Sequence, residues 1–313
     1  MRRRLIVVSL LFAGVVVHPV DSLAGEPEVL TGAITTHIVV PGETLTSIAS
    51  RFGVDPSTIV SDNRLAAGQP LEPGRTLLID NRHIVPATAV AGEIVVNVPQ
   101  RMLFYREGDR MLAYPVAVGR ATWQTPQGAF AVTWKDEDPA WHVPASIRAE
   151  SARKGKELPL VVPPGPRNPL GRFWIGLSLA GIGLHGTPVP SSIYRTVTHG
   201  CIRLQGEGIE DLFGRVDVGT RGRIIYEPVL MAVSGGEIYL EVHRDVYRRV
   251  PMNAAQKARE LAARVALADR IDWTVADSEI ERQAGIARRV SVDGRTPSAY
   301  RDSERPRSGA MRR

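Results

Sequence analysis

Short apolar segments separated by turn residues occupy the middle of this 313-residue chain. The four clearest segments are residues 93–98, 101–106, 111–118 and 129–134. Gly-Asp at positions 108–109 separates the second from the third, Gly119 closes the third, and Thr-Pro-Gln-Gly at positions 125–128 precedes the fourth. Short strands joined by turns of this kind are typical of β-sandwiches and related folds. The pattern therefore predicts a mostly-β, sandwich-like body.

The chain after this body is predicted to fold as a smaller unit. Arg-Ile-Ile-Tyr at positions 223–226 predicts the last strand of the body, which ends near Pro228. Beyond it, the alternating segment 237–243 predicts a strand, and residues 253–268, rich in Ala, Leu and Arg, predict a helix. Residues 229–290 are therefore expected to form a small α+β appendage.

A long segment, residues 135–173, follows the fourth strand. It contains a candidate polar helix at residues 145–154 and the stiff, Pro-rich run 162–171. A loop of this length inside a compact domain is usually functional or disordered. Trp141 and the prolines favour order, so we expect the segment to form one wall of a substrate groove. A solvated surface excursion is the alternative.

A compact module over residues 36–80 precedes the body. Its pattern predicts two strands, 36–40 and 76–79, around two helices, 43–52 and 56–63. The strings VVPGETLTSIASRFGV and PGRTLLI within it resemble a LysM domain. That resemblance implies a βααβ fold that binds N-acetylglucosamine glycans. The alternative is that these positions only stabilise a small fold.

Two further segments have compositions unlike those of a folded domain. Residues 81–91, rich in Pro, Ala, Thr and Val, are expected to link the first module to the body. Residues 291–313 contain six arginines together with Pro and Ser, and almost no apolar residues. Such a segment buries too little apolar surface to fold, so we expect a disordered basic tail.

The first 24 residues carry the features of a secretory signal peptide. Met-Arg-Arg-Arg is a basic start, residues 5–17 are an apolar run of 13 residues, and Ser-Leu-Ala at positions 22–24 is a small-x-small cleavage site. A membrane anchor is the alternative, but a spanning helix needs about 20 apolar residues. We therefore expect cleavage near Ala24 and export.

Arginine supplies almost all of the formal charge of +6. Such an excess is compatible with a nucleic-acid partner. No helix-turn-helix, zinc knuckle or aromatic RNA platform accompanies it in the sequence, so we expect no nucleic-acid partner. Attraction to an anionic cell envelope is the simpler explanation of the charge.

The chain has one cysteine, Cys201, which directly follows His199 and Gly200. A second histidine, His185, precedes it by 16 positions. A lone thiol with nearby histidines is the material of a cysteine nucleophile and its general base. A buried Cys acting as a small hydrophobe is the alternative. One cysteine excludes intramolecular disulfide exchange, and paired zinc-ligand spacings are absent, so we expect no metal or other cofactor.

The strings HGT at positions 185–187 and THGCIRL at positions 198–204 resemble the signature of the YkuD-type L,D-transpeptidases, enzymes that cross-link bacterial peptidoglycan. The resemblance covers the predicted body, residues 92–228. It implies a β-sandwich-like catalytic domain in which Cys201 is the nucleophile and His185 is the base.

The other residues of the two strings have supporting roles in this interpretation. His199 is expected to support the geometry of the neighbouring thiol. Gly200 is expected to free the backbone amide beside the thiol, so that it points inward as an oxyanion hole. Arg203 is expected to pair with a substrate carboxylate, with a structural ion pair as the alternative. Gly186 and Thr187 are expected to contact the substrate.

The resemblance also implies a reaction and its setting. Cys201 would attack the stem peptide of peptidoglycan, release the terminal D-alanine and hold the peptide as a thioester, which an amine then resolves. The amine belongs to a second stem peptide, giving a 3–3 cross-link, or to an outer-membrane lipoprotein. Hydrolysis, as by a carboxypeptidase or amidase, is the alternative, and a binding protein with an unreactive thiol is another. The expected location is the periplasm, and the sequence predicts no particular oligomeric state.

Overall fold

The structure is a computed structural model that describes residues 29–66, 68–249, 253–264 and 266–292. The predicted signal peptide lies outside the described residues, and so does the predicted tail except for its first two residues. Of these two, Ser291 is buried and forms an isolated β-bridge with Ile271, so the prediction that the tail starts at Ser291 is wrong. Within the described ranges, no helix is long and apolar enough to cross a membrane.

The N-terminal module has the predicted βααβ order, flanked by two short strands. Its elements are β1 (Leu30–Thr31), β2 (Ile34–Ile38), α1 (Leu45–Phe52), α2 (Pro56–Asp62), β3 (Thr76–Asp80) and β4 (His83–Ile84). β2 pairs with β3 in antiparallel register. Helix α1 begins where the Thr44 side chain accepts a hydrogen bond from the Ser47 amide, and it ends at Gly53, whose φ of +70° is left-handed.

The body that follows is built mainly of strands. Its elements are β5 (Ile94–Asn97), β6 (Met102–Glu107), β7 (Arg110–Gly119), β8 (Gly128–Glu137), β9 (Trp141–His142), α3 (Ala145–Arg153), β10 (Val161–Val162), β11 (Phe173–Leu177), β12 (Gly183–His185), β13 (Thr196–Thr198), β14 (Ile202–Leu204), α4 (Gly206–Arg215) and β15 (Arg221–Ile225). The predicted helix at residues 145–154 is confirmed as α3.

Two long strands close the sheet of the body on itself. β7 pairs with β6 along its first part and with β14 near its end, and β8 pairs with β15 and then with β11. The resulting order is β7-β14-β12-β11-β8-β15-β5-β6 and back to β7, with β13 beside β7. Apolar side chains from strands all around this closed sheet fill its interior, among them Ile94, Leu103, Val116, Ile175, Leu184 and Ile202. The prediction of a mostly-β, sandwich-like body is confirmed.

The appendage contains more structure than the sequence indicated. Its elements are β16 (Val229–Ser234), β17 (Glu237–Val242), α5 (Ala254–Arg264), α6 (Trp273–Arg282) and β18 (Arg288–Arg289). The three strands form one sheet in the order β16-β17-β18. Apolar residues of this sheet and of both helices share one core. The α+β prediction holds, but β16, α6 and β18 were not predicted.

The appendage also completes the core of the N-terminal module. Ala284 and Ile286 pack in the same apolar cluster as the residues of α1, α2 and β3. The Thr58 hydroxyl donates to the Ala284 carbonyl at 3.0 Å, and Arg288 pairs with Asp62 at 2.7 Å. The first and last units of the chain therefore pack as one body.

The prediction that residues 81–91 form a linker is wrong, because part of this segment is packed between the units of the fold. Residues 83–86 are buried, and β4 within them pairs with β1. Val85 packs against the body, and Ile84 packs against the appendage. A composition that indicated a linker is here part of a packed interface.

A buried carboxylate, Glu241 of β17, lies where the three units meet. It accepts hydrogen bonds from His83 Nδ1 at 2.8 Å, His243 Nε2 at 2.7 Å, Gln100 Nε2 at 3.0 Å and the Ile84 amide at 2.5 Å. Burial alone would raise the pKa of Glu241, but the charge of His83 and these hydrogen bonds lower it to about 2. The carboxylate is therefore ionised inside the protein.

The hydrogen bonds of His83 explain how that charge is balanced. Its Nδ1 faces the Glu241 carboxylate, and its Nε2 lies 2.9 Å from the Gly53 carbonyl. Both partners are acceptors, so both nitrogens donate and the ring is an imidazolium. Among the described residues, His83, Glu241 and His243 form the one cluster close enough to hold a metal ion. The nitrogens of both histidines already lie at hydrogen-bonding distance from the Glu241 carboxylate. An ion pair therefore explains the cluster without a metal ion.

Candidate active site

Two neighbouring parallel strands bring the predicted nucleophile and base together. His185 is the last residue of β12, and Cys201 directly precedes β14, with His185 paired in register with Arg203. Residues two apart along a strand project to the same face, so Cys201 and Arg203 share the face of His185. All three line one cavity of about 220 Å³, which we call the arginine cavity.

His185 has the protonation state that a general base needs. The ring is buried, and its Nδ1 lies 2.7 Å from the Gly186 carbonyl, to which it donates. Nε2 is then the basic nitrogen. Burial, assisted by the positive charge of Arg203, lowers the pKa of His185 to about 3. Trp174 stacks on the ring with a centroid distance of 5.9 Å, which helps to fix its orientation.

The thiol of Cys201 is also neutral in this structure. Its Sγ donates to the Gly181 carbonyl at 3.5 Å, and burial raises its pKa while the charge of Arg203 opposes that rise. A neutral thiol beside a neutral imidazole indicates activation by proton transfer during attack, rather than a resident thiolate-imidazolium pair.

His199 is held by a carboxylate and by an aromatic ring. Its Nε2 lies 2.9 Å from Glu150 Oε2, and Arg120 binds the same carboxylate. The edge of Trp123 packs on the ring at a centroid distance of 5.1 Å. This arrangement agrees with the expected supporting role of His199. Sequence reasoning missed Glu150, because nothing distinguishes it from the other polar residues of α3.

The position of Glu150 makes a testable prediction. Its hydrogen bonds from Lys154, Arg120 and His199 lower the pKa of Glu150 to about 2, so it is a carboxylate at neutral pH. Glu150→Gln is expected to slow acylation of Cys201 about 10-fold, because His199 loses the charged acceptor that orients it. Mass spectrometry of β-lactam adduct formation measures the rate. The exposed Glu157→Gln is the matched control, and equal rates in both variants would contradict this role.

The prediction that the Gly200 amide points inward as an oxyanion hole is wrong. Its φ of +110° requires glycine, as expected beside the thiol. The Gly200 amide, however, donates to the Thr198 hydroxyl at 3.2 Å, and that hydroxyl donates to the Cys201 carbonyl. The amide is therefore occupied within the turn and does not point inward to a substrate oxygen.

Arg203 is a cation without an anionic partner among the residues that the structure describes. Its Nη1 donates to the Ser192 hydroxyl at 3.0 Å, whereas its buried Nε has no partner. No carboxylate of the described residues forms an ion pair with it, which argues against the structural alternative. The side chain is left available to an anionic group that enters the arginine cavity.

Gly186 and Thr187 lie beside His185 but face a second cavity. Both line a separate cavity of about 620 Å³, of which Cys201 is not a lining residue. The Thr187 hydroxyl accepts from the Val189 amide at 3.0 Å and so stabilises a turn. The Pro-rich run at 162–171 contributes mostly to this second cavity.

The long segment forms part of the wall of a groove at Cys201. The groove has a volume of about 550 Å³, and its lining includes residues 139–142, Pro144, Ser146, Ile147 and Leu170 of that segment. Four of the five tryptophans of the chain surround it, namely Trp123, Trp134, Trp141 and Trp174. We call it the tryptophan groove.

Comparison with known families agrees with this geometry. Residues 91–229 match the YkuD family, described as the L,D-transpeptidase catalytic domain. Residues 37–80 match the LysM domain. The two matches fall on the strand-rich body and on the N-terminal module.

Two curated relatives are similar over most of the chain. A probable L,D-transpeptidase ErfK/SrfK of Salmonella typhimurium is 34% identical over 281 residues, which cover 86% of this chain and 88% of the relative. A probable L,D-transpeptidase YbiS of Escherichia coli is 31% identical over 232 residues, covering 70% of this chain and 74% of the relative. Since this likeness exceeds 30% identity over most of both chains and each domain matches its family model, the chain belongs to the YkuD family of L,D-transpeptidases and is an enzyme with an N-terminal LysM domain.

Proposed function

We propose that this protein is a periplasmic L,D-transpeptidase that transfers a peptidoglycan stem peptide from Cys201 to an amine. The observation that carries the proposal is the arginine cavity, where a thiol, a neutral buried imidazole and a cation without an anionic partner meet. These are a nucleophile, a base and an anchor for an anionic acyl donor.

Acylation begins with proton transfer from Cys201 Sγ to His185 Nε2. The sulfur attacks the carbonyl carbon that precedes the terminal D-alanine, and collapse of the adduct breaks the C–N bond. The leaving amine takes the proton from Nε2, which returns the imidazole to its neutral form. Contacts between nucleophile and base are often loose before substrate binds, which is consistent with the hydrogen bond of Sγ to Gly181 in this structure.

Arg203 orients the donor during this step. Stem peptides carry several carboxylates, and a partly buried guanidinium binds a carboxylate strongly because little water competes for it. The Ser192 hydroxyl, which accepts from Nη1 at 3.0 Å, holds the side chain in the cavity.

The N-terminal module is proposed to bind the glycan strands that carry the stem peptides, in line with its LysM match. Binding there places the stem peptides near Cys201 at high effective concentration. Export by the predicted signal peptide would deliver the enzyme to this polymer. The attachment of a lipoprotein, with a C-terminal lysine as the acceptor, remains part of the proposal beside 3–3 cross-linking.

Incubation with purified substrates distinguishes transfer from hydrolysis. A tetrapeptide muropeptide alone is expected to lose D-alanine and form a cross-linked dimer, and added lysine-ended lipoprotein peptide is expected to form an amide with the tripeptide. Mass spectrometry of the products is the measurement. Free tripeptide as the sole product under both conditions would mean that water is the acceptor, and the carboxypeptidase alternative would replace this proposal.

A further inference from the structure

Two mainly apolar openings that differ in charge meet at Cys201. The arginine cavity contains the cation Arg203, whereas the tryptophan groove has no Lys, Arg, Asp or Glu among its described lining residues. Trp141 and Leu170 line both openings and so cover the place where they join. A ligand in one opening and a ligand in the other can therefore both reach the sulfur.

The two substrates of the proposed reaction differ in charge in the same way. The acyl donor is anionic, and the acceptor is an amine that is a cation in solution at neutral pH. Arg203 would repel an ammonium group in the arginine cavity. The faces of tryptophan rings attract one, because the negative face of the indole quadrupole stabilises a cation.

We propose that the tryptophan groove is the approach path and binding site of the acceptor ammonium group. This inference rests on the proposed transfer to an amine. Trp134 is the best placed of the rings to receive the cation, since 49% of its surface is exposed and it tilts against Trp174 at a centroid distance of 5.8 Å. Trp174 in turn stacks on His185, so the aromatic path leads from solvent to the base.

Glycine at one position gives the groove its floor. A Cβ at Gly176 would lie 2.2 Å from Nε1 of Trp134, so the indole rests directly on the bare backbone of β11. The backbone of β11 thereby covers one face of the Trp134 indole, and the other face is the one exposed to the groove. The groove volume of about 550 Å³ accommodates an extended aminoalkyl chain rather than a single small molecule.

The amine becomes a nucleophile when it leaves the ring faces. The ammonium group first gives one proton to solvent water, and the neutral amine then reaches the thioester. The nitrogen lone pair attacks the thioester carbon, the C–N bond forms and the C–S bond breaks. His185 takes the second proton from nitrogen and passes it to the departing sulfur. The products are an amide, the free thiol and one proton released from the ammonium group.

Variants of Trp134 test the assignment in the full-length protein. Trp134→Leu is expected to lower the ratio of amide product to hydrolysed tripeptide about 10-fold, while Trp134→Phe, which keeps an aromatic face, loses at most a few-fold. The rate of Cys201 acylation is measured in the same variants, and a fall in acylation as large as the fall in amide product would overturn the inference. An unchanged ratio in Trp134→Leu would overturn the inference.

A non-reactive cation separates this inference from the proposed function. A peptide ending in Nε-trimethyl-lysine keeps the charge but has no N–H to lose, and a norleucine peptide is its neutral control. The trimethyl-lysine peptide is expected to quench tryptophan fluorescence and to inhibit transfer without slowing acylation. Equal effects of the two peptides would overturn the inference. A wild type that binds the cation but forms no amide with any amine would instead overturn the proposed function.

Discussion

Cys201→Ala is expected to abolish covalent acylation, whereas the wild type takes up one carbapenem per chain. The strained β-lactam is an acyl donor, and Cys201 is the only thiol of the sequence that can accept it. His185→Ala is expected to slow acylation about 100-fold or more, because it removes the proton acceptor. Intact-mass spectra at a series of times give both results. An adduct on Cys201→Ala would show that another residue is acylated.

His199→Ala is the informative comparison for the choice of base. Since Nε2 of His199 is held by Glu150, we expect a smaller loss than with His185→Ala. A larger loss in His199→Ala would reverse the two roles. Replacement of both histidines is expected to be no worse than replacement of His185 alone, because residues that act as one unit are not additive.

The pH dependence of acylation gives an independent check of the neutral pair. The pKa of His185 is about 3, so the base stays unprotonated as pH falls from 8 to 5. The rate is therefore not expected to drop around pH 6.5, where an ordinary histidine takes up a proton. Because burial raises the pKa of Cys201, thiolate formation is expected to affect the rate only at alkaline pH. An acidic limb near pH 6.5 that disappears in His185→Ala would contradict this protonation state.

Glu241→Gln is expected to cause the largest loss of stability. It removes the charge that four donors surround, the imidazolium of His83 among them, and breaking a buried ion pair costs about 3–5 kcal/mol. Thermal unfolding should shift down by about 10 °C. Glu260→Gln on the same appendage is the control, because that side chain is half exposed and its pair with Lys257 is 3.7 Å long. An equal shift in the two variants would contradict the importance of the buried pair.

Acid should reduce the difference between wild type and Glu241→Gln. The folded-state pKa of Glu241, about 2, lies below the ordinary value of 4.5. Its ionisation therefore contributes fully above about pH 4.5, and the contribution is lost as pH falls through about 2. Burial also lowers the pKa of His243, so the unfolded chain takes up that proton first and stability falls below about pH 6.5 in both proteins. Denaturant titrations between pH 7 and pH 2 measure these changes.

Local patterns predicted those parts of the molecule whose structure depends on neighbours in the chain. The helix that ends at Gly53 and the short strands of the body follow from such patterns. The strings that contain His185 and Cys201 resemble one known signature, and the fold places them on neighbouring strands, with His185 opposite Arg203. Glycine at position 200 was correctly linked to a special backbone conformation, but the direction of its amide depends on the Thr198 hydroxyl.

Features that depend on distant segments could not be predicted in this way. The charge of Glu241 depends on His83, which lies 158 residues earlier in the chain. The alternation of apolar and polar residues along β17 predicts only a strand. Residues 81–91 resemble a linker in composition, although Val85 packs in the interior of the folded protein. Glu150 is one polar residue on a polar helix until the fold places it against His199.

The contacts among the first module, the body and the appendage fix the distance between the proposed glycan-binding module and Cys201. A flexibly tethered sugar-binding module would let the thiol sample many stem peptides around the point of attachment. Here Ile286 lies in the core of the first module, and Glu241 joins its flank to the body. The first module and Cys201 are thus held at a constant spacing. On the proposed function, a glycan strand bound by the first module would present to Cys201 the stem peptides at one distance from the point of binding, so the spacing of the products along the cell wall would follow from the fold.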